Sequence, residues 1–166
     1  MPLNVLFICA HNSSRSILAE AALNHIAKGR FQAFSAASHL RDQEQPNPMA
    51  LKALTTAKIK TAGLRSKSWS EFIAPGAPQM DLVITMCEES SKVQAPVWPG
   101  KPATAKWDYK DPTLAEGTDK QKQAAFNNVL LSLRQRLDIL ANLPDQGIDR
   151  LQLQQAALQA AAAIKG

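Results

Sequence analysis

Cys9 closes the apolar run Val5-Leu6-Phe7-Ile8, and Arg15 follows it six positions later, with hydroxyls at Ser13, Ser14 and Ser16 around that arginine. A thiolate is a strong nucleophile, and a guanidinium grips two oxygens of a tetrahedral oxyanion at once. When a loop of this length runs straight into a helix, its backbone N–H groups and the helix N-terminus point positive charge at the same anion. That field also favours a thiolate, so the spacing predicts attack by Cys9 on an oxyanion held by Arg15 and the loop. The predicted oxyanion-binding residues are Ala10, His11, Asn12, Ser13, Ser14, Arg15 and Ser16. Asn12 is expected to shape the loop through side-chain hydrogen bonds, while His11 either tunes the thiolate or points outward as filler. His25 and His39 have no partner at ligand spacing, and no metal site is predicted from the residues.

The elements that must position this loop follow from hydrophobic period. Leu3 to Ile8 is a run of strand length that is apolar except at Asn4, and Ser16 to Lys28 carries apolar residues at helical spacing. A second strand over Phe31 to Ala36 completes a β-α-β unit, which implies a parallel sheet with helices on its faces. A polar loop from His39 to Pro48 leads to a predicted helix over Met49 to Ala62, ended by Gly63. Asp81 to Met86 reads as a central strand that ends at Cys87. Ligands in open α/β sheets sit at the carboxyl ends of strands, so the two cysteines are expected as neighbours in space. Glu88 to Pro102 reads as a loop, Thr104 to Tyr109 as a short last strand, and Thr118 to Leu143 as a long amphipathic helix. Pro144 and Gly147 break that pattern, and Asp149 can cap a last alanine-rich helix ending near Ile164. The expected organisation is a three-layer α/β body over residues 1–143, with helices on both faces of a mainly parallel sheet, and a helical extension over 144–166.

Composition narrows the class. The 166 residues are 45% hydrophobic, enough for one well-buried core. No apolar run approaches the roughly 20 residues that span a bilayer, and no secretory leader is visible, so the chain reads as cytoplasmic and free of membrane. Two cysteines make no secreted disulfide framework, and a reactive thiol persists best in a reducing compartment. The net charge of +5 is scattered rather than gathered in a stripe, which argues against nucleic acid as a partner.

Further segments in order along the chain carry a likeness to a known family. They are Cys9 to Ser16 with Ala19-Glu20-Ala21 behind it, Phe34-Ser35-Ala36, Asn47-Pro48, Gly63-Leu64-Arg65-Ser66-Lys67-Ser68-Trp69, Thr85-Met86-Cys87, Pro96-Val97-Trp98-Pro99-Gly100, and Trp107 through Asp111-Pro112. With these the chain resembles the low-molecular-weight phosphatase superfamily, and within it the arsenate reductases of the phosphatase-like type. Arsenate-reducing members carry a cysteine where Cys87 stands. Tyrosine phosphatases typically have tyrosine after the Asp-Pro pair, where this chain has Thr113.

The resemblance implies that Cys9 attacks arsenate, that Asp111 acts as general acid, and that a second thiol resolves the adduct with release of arsenite. Cys87 is the internal candidate for that thiol. Thioredoxin-coupled members have a third cysteine at the position of Ala95, so an external reductant is implied: glutathione with glutaredoxin in first place, with thioredoxin or mycothiol as alternatives. No tightly bound cofactor is expected. The potassium site of some relatives would fall on Asn12, Glu20 and Ser35, with Glu71 where an aspartate is expected. Ala37 replaces a glycine usual in the family. Two rivals share the loop chemistry: a low-molecular-weight protein-tyrosine phosphatase, and a cysteine phosphoryl-carrier domain of a sugar transport system. Arg15 and Asp111 argue against the carrier, which must keep its phosphocysteine. Trp98 and Trp107 are expected to pack rather than touch substrate.

Overall fold

The computed structural model describes residues 2–144 and 147–166. Four parallel strands form the sheet: β1 (Leu3–Cys9), β2 (Phe31–Ala37), β3 (Leu82–Thr85) and β4 (Ala103–Lys106), in the order β2-β1-β3-β4. The chain leaves β1 for one side to form β2 and later lands on the other side to form β3. That reversal opens a crevice at the carboxyl ends of β1 and β3, where a ligand fits between diverging connections. The register sets Cys9 opposite Ala37 and Ile8 opposite Thr85.

β1 is apolar from Val5 to Cys9 because both of its faces are covered there. Val5, Phe7 and Cys9 turn to one core, Leu6 and Ile8 to another. The first core is closed by α1 (Arg15–Ile26), α2 (Pro48–Thr56), α4 (Asp119–Ala141) and α5 (Arg150–Ala163), with Trp107, Phe126 and Leu137 fully buried among them. The second is closed by a 3-10 turn over Trp69–Phe72, by Trp98, and by α3 (Glu88–Lys92), whose Ser90 shares a hollow with Ile8 and Val83. Trp69 and Trp98 meet edge to face with ring centroids 6.0 Å apart. Among the described residues no helix is long and apolar enough to cross a membrane.

Three elements depart furthest from the expected bounds. The helix expected over 49–62 stops at Thr56, because Lys58 takes a left-handed conformation (φ 61°). Ile59 N–H then donates to Leu54 O at 2.9 Å and Lys58 N–H to Thr55 O at 2.9 Å, the paired bonds of a Schellman stop. Glycine usually holds that position, so a lysine there leaves no signal. α3 interrupts the stretch expected as loop. β4 ends at Lys106, although Trp107 N–H still donates to Thr85 O at 2.8 Å and Tyr109 N–H to Met86 O at 3.1 Å. α4 and α5 each open on a reciprocal capping box, Thr118 with Gln121 and Asp149 with Gln152. The expected break from Pro144 to Gly147 spans residues 145 and 146, which lie outside the described residues.

Candidate active site

The loop between β1 and α1 is held from outside by its carbonyl groups. Cys9 O accepts from Ser38 N–H (3.1 Å), Ala10 O from His39 N–H (2.8 Å), Ser13 O from Asn47 N–H (2.8 Å) and Ser14 O from Leu18 N–H (2.9 Å). The Ser66 hydroxyl donates to Asn12 O at 2.6 Å. Among the described residues, no backbone N–H from His11 to Arg15 donates to a protein acceptor, which leaves these donors open to a ligand. Asn12 makes the turn possible with φ 53°, a left-handed conformation that asparagine tolerates. The Ser14 hydroxyl is buried and finds no protein partner, a further donor for a ligand oxygen.

At the head of this nest Cys9 is 2% exposed, and its Sγ lies 2.8 Å from Ser16 Oγ. Asn12 Nδ2 donates to the same hydroxyl oxygen at 2.8 Å. Arg15 is pinned by a bond from Nη1 to Tyr109 O at 3.0 Å, and its Nη2 lies 3.8 Å from Asp111 Oδ2. Asp111 Oδ1 caps the next 3-10 turn, accepting from Thr113 N–H at 2.9 Å and from its hydroxyl at 2.7 Å. Cys9, Ser14, Arg15 and Asp111 line one cavity of about 260 Å3, rimmed by His11, Arg41 and Glu89. A thiol nucleophile, a guanidinium, a carboxyl group and loop residues whose N–H groups have no protein acceptor therefore border one small volume, which suits a tetrahedral oxyanion. A larger hollow of about 590 Å3 beside α1, lined by Asn24, His25 and Lys28, contains no thiol or arginine and suits no such chemistry.

Residues 4–156 match the family described as low molecular weight phosphotyrosine protein phosphatase. The chain belongs to this family. An arsenate reductase of Bacillus licheniformis is 31% identical over 80% of this chain and 91% of its own. The crystal structure of an arsenate reductase from Archaeoglobus fulgidus superposes with a TM-score of 0.62 at 27% identity, covering 84% of this chain and 99% of that one. A low molecular weight protein tyrosine phosphatase from T. tengcongensis shares the fold with a TM-score of 0.67 at 24% identity, covering 85% and 99%.

Within this family fold the site residues expected from sequence are divided. Cys9, His11, Ser13, Ser14, Arg15 and Asp111 line the cavity; Asn12 and Ser16 stand behind Cys9 and shape it. Cys87, at the end of β3, is not among the lining residues. Its thiol donates to Ser90 Oγ at 3.2 Å, and Ser90 Oγ meets Ser38 Oγ at 2.7 Å. Both cysteines are free thiols. Ala95 is exposed. His11 turns Nδ1 to His39 O at 3.0 Å, and Trp107 is wholly buried.

The residues implied for potassium do gather, but around an ammonium group. Lys67 Nζ lies 2.8 Å from Arg65 O, 3.3 Å from Asn12 Oδ1, 3.5 Å from Ser35 Oγ and 3.7 Å from Glu20 Oε1. Glu71 turns away and pairs with Arg65 at 2.6 Å. The oxygens expected to hold potassium already hold a cation, so these residues do not fit the metal. Burial pushes the Lys67 ammonium down from the ordinary lysine range, with the Glu20 carboxylate pulling the other way. Lys67, Tyr109 O, Arg41 and Glu89 were not marked as site residues by the sequence. A lysine in a polar run reads as solvated, and a backbone carbonyl has no sequence signature at all.

Proposed function

We propose that the chain reduces arsenate to arsenite. The observation that carries this reading is the convergence of Cys9, Arg15 and the loop residues between them on one small cavity, in a chain whose curated relatives are arsenate reductases. Arsenate binds with its oxygens on the loop and on Arg15. Cys9 thiolate attacks arsenic, an S–As bond forms, and an arsenate hydroxyl takes a proton from Asp111 Oδ2 so that its As–O bond breaks and it leaves as water. A second thiol then attacks Cys9 Sγ. The S–As bond breaks, its electron pair goes to arsenic, arsenite departs and a disulfide remains.

The second thiol is external in this reading, glutathione followed by glutaredoxin. Support comes from Cys87, which bonds Ser90 and does not line the cavity, and from Ala95, which leaves no third cysteine to continue an internal relay. Thioredoxin acting on a Cys9–Cys87 disulfide is the competing route, and mycothiol replaces glutathione where that is the available small thiol.

Purified protein assayed on arsenate with each reductant, and on an aryl phosphate, tests this directly. Arsenite formation that vanishes in Cys9→Ser and persists in Cys87→Ser is expected. Rapid phosphate release without arsenite sinks the arsenate reading in favour of the phosphatase, and loss of turnover in Cys87→Ser moves the resolving step onto that residue.

A further inference from the structure

The Lys67 ammonium lies outside the oxyanion cavity, yet a short chain of hydrogen bonds joins it to the nucleophile. Asn12 is fully buried between them. Its Oδ1 accepts from Lys67 N–H at 3.0 Å and from Lys67 Nζ at 3.3 Å. An amide with both donors on its oxygen side has one permitted orientation, since the flipped form would set its own NH2 group against them. The nitrogen therefore faces the other way, where Nδ2 donates to Ser16 Oγ at 2.8 Å. A hydroxyl that accepts that bond keeps its own hydrogen free, and the neighbour 2.8 Å away is Cys9 Sγ. Every donor in the sequence Lys67, Asn12, Ser16 then points toward the sulfur, the direction that favours a thiolate.

We infer that Lys67 is a positioning residue for Cys9: its ammonium takes the place of a bound cation and fixes the Asn12 amide, so that Ser16 donates to the sulfur. The ammonium is held by this chain's own groups. Lys67 is 8% exposed and ties to Arg65 O and Ser35 Oγ, while the Ser35 hydroxyl donates to Glu20 Oε1 at 2.6 Å. Removing the ammonium leaves the Lys67 backbone N–H as the one donor to the amide oxygen among the described residues. It also leaves four oxygens, from Asn12, Glu20, Ser35 and Arg65, facing one another without a cation. The inference rests on Cys9 being the nucleophile and does not depend on which oxyanion it attacks.

Alkylation of Cys9 by iodoacetamide reads the thiolate without any substrate, and peptide mass spectrometry separates Cys9 from Cys87. Rates are compared across pH for wild type, Lys67→Ala and Lys67→Arg, each in choline chloride and in potassium chloride of equal strength. Losing one such bond is expected to slow Cys9 alkylation in Lys67→Ala about three- to tenfold at neutral pH. Lys67→Arg keeps most of the rate, because a guanidinium donates to the same oxygens. Potassium speeds Lys67→Ala and leaves wild type unchanged. A Lys67→Ala protein that reacts at the wild-type rate overturns the inference, as does a slowed one matched by Lys67→Arg and untouched by potassium. Failure of both variants to fold assigns Lys67 to the fold instead and also overturns it. If wild type forms no arsenite while these alkylation ratios hold, the functional reading fails and the positioning role stands.

Discussion

At Asp111 the two carboxylate oxygens have different neighbours. Oδ1 is engaged by the Thr113 amide and hydroxyl, whereas Oδ2 faces Arg15 and the cavity. Oδ2 is thus the oxygen placed to carry a proton to a departing group, and Oδ1 is the one that fixes the side chain. Asp111→Asn keeps the capping oxygen and loses the proton. It is expected to lower kcat about 10²- to 10⁴-fold with little effect on Cys9 alkylation, a contrast that steady-state and alkylation kinetics measure together. Arg15 cannot be replaced so gently. Lysine offers a point charge in place of a fork, and one arm of that fork is already used on Tyr109 O.

At the scale of elements, the feature least expected from sequence is how the last helix meets the body. Trp107 donates from Nε1 to Ala157 O at 2.9 Å, and small residues at Ala156, Ala157 and Ala160 let α5 approach closely. Arg136 on α4 donates to Ile164 O at 2.7 Å and to Ala161 O at 3.3 Å, satisfying carbonyls that the end of α5 leaves open. Its guanidinium also lies 4.7 Å from the Tyr109 ring centroid. We propose that residues 144–166 are an extension that stabilises a body formed by residues 1–143. Trp107→Ala removes the central contact and is expected to cost about 3–5 kcal/mol, a fall of roughly 6–20 °C in Tm at this chain length. Thermal unfolding of that variant beside a chain ending at Leu143 tests the proposal; unchanged midpoints in both refute it.

The strands and long helices were legible because burial imposes period: β1 reads as apolar from Val5 to Cys9, α4 as Phe126, Leu130, Leu133, Leu137 and Leu140 on one face. The nucleophile, arginine and loop were legible because they are contiguous. What escaped was made by tertiary contact or by local geometry carried on an ordinary residue. Lys58 ends α2 in a conformation usually left to glycine, and Lys67 is buried by groups far from it in sequence. Cys87 was rightly placed at a strand end, but the direction of its side chain depends on Ser90, in a helix that the proline-rich stretch concealed.

For the whole molecule, two buried groups pull alkaline stability in opposite directions. Burial raises the Tyr109 hydroxyl above its usual value of about 10, with Ser132 and Arg136 drawing it partly back. Its contribution is complete below pH 10 and is lost as pH rises through the folded-state value, because the unfolded chain releases that proton first. Lys67 is lowered, so the unfolded chain holds that proton longer and stability is gained as pH climbs toward the ordinary lysine value of about 10.5. Tyr109→Phe is expected to flatten the decline above about pH 10 in urea titrations, whereas a decline of equal slope in that variant removes Tyr109 as its source.

The outward-turned carbonyls of the loop have a consequence for how the protein matures. Four of them are clasped by three other stretches of chain: Ser38 and His39 beyond β2, Asn47 at the start of α2, Ser66 in the turn before the 3-10 helix. The loop cannot take its shape until all of these have docked, although its own residues are contiguous and emerge first. The shaped loop around Cys9 therefore depends on chain as far as Ser66, and any state that lacks those contacts lacks the loop that holds the oxyanion.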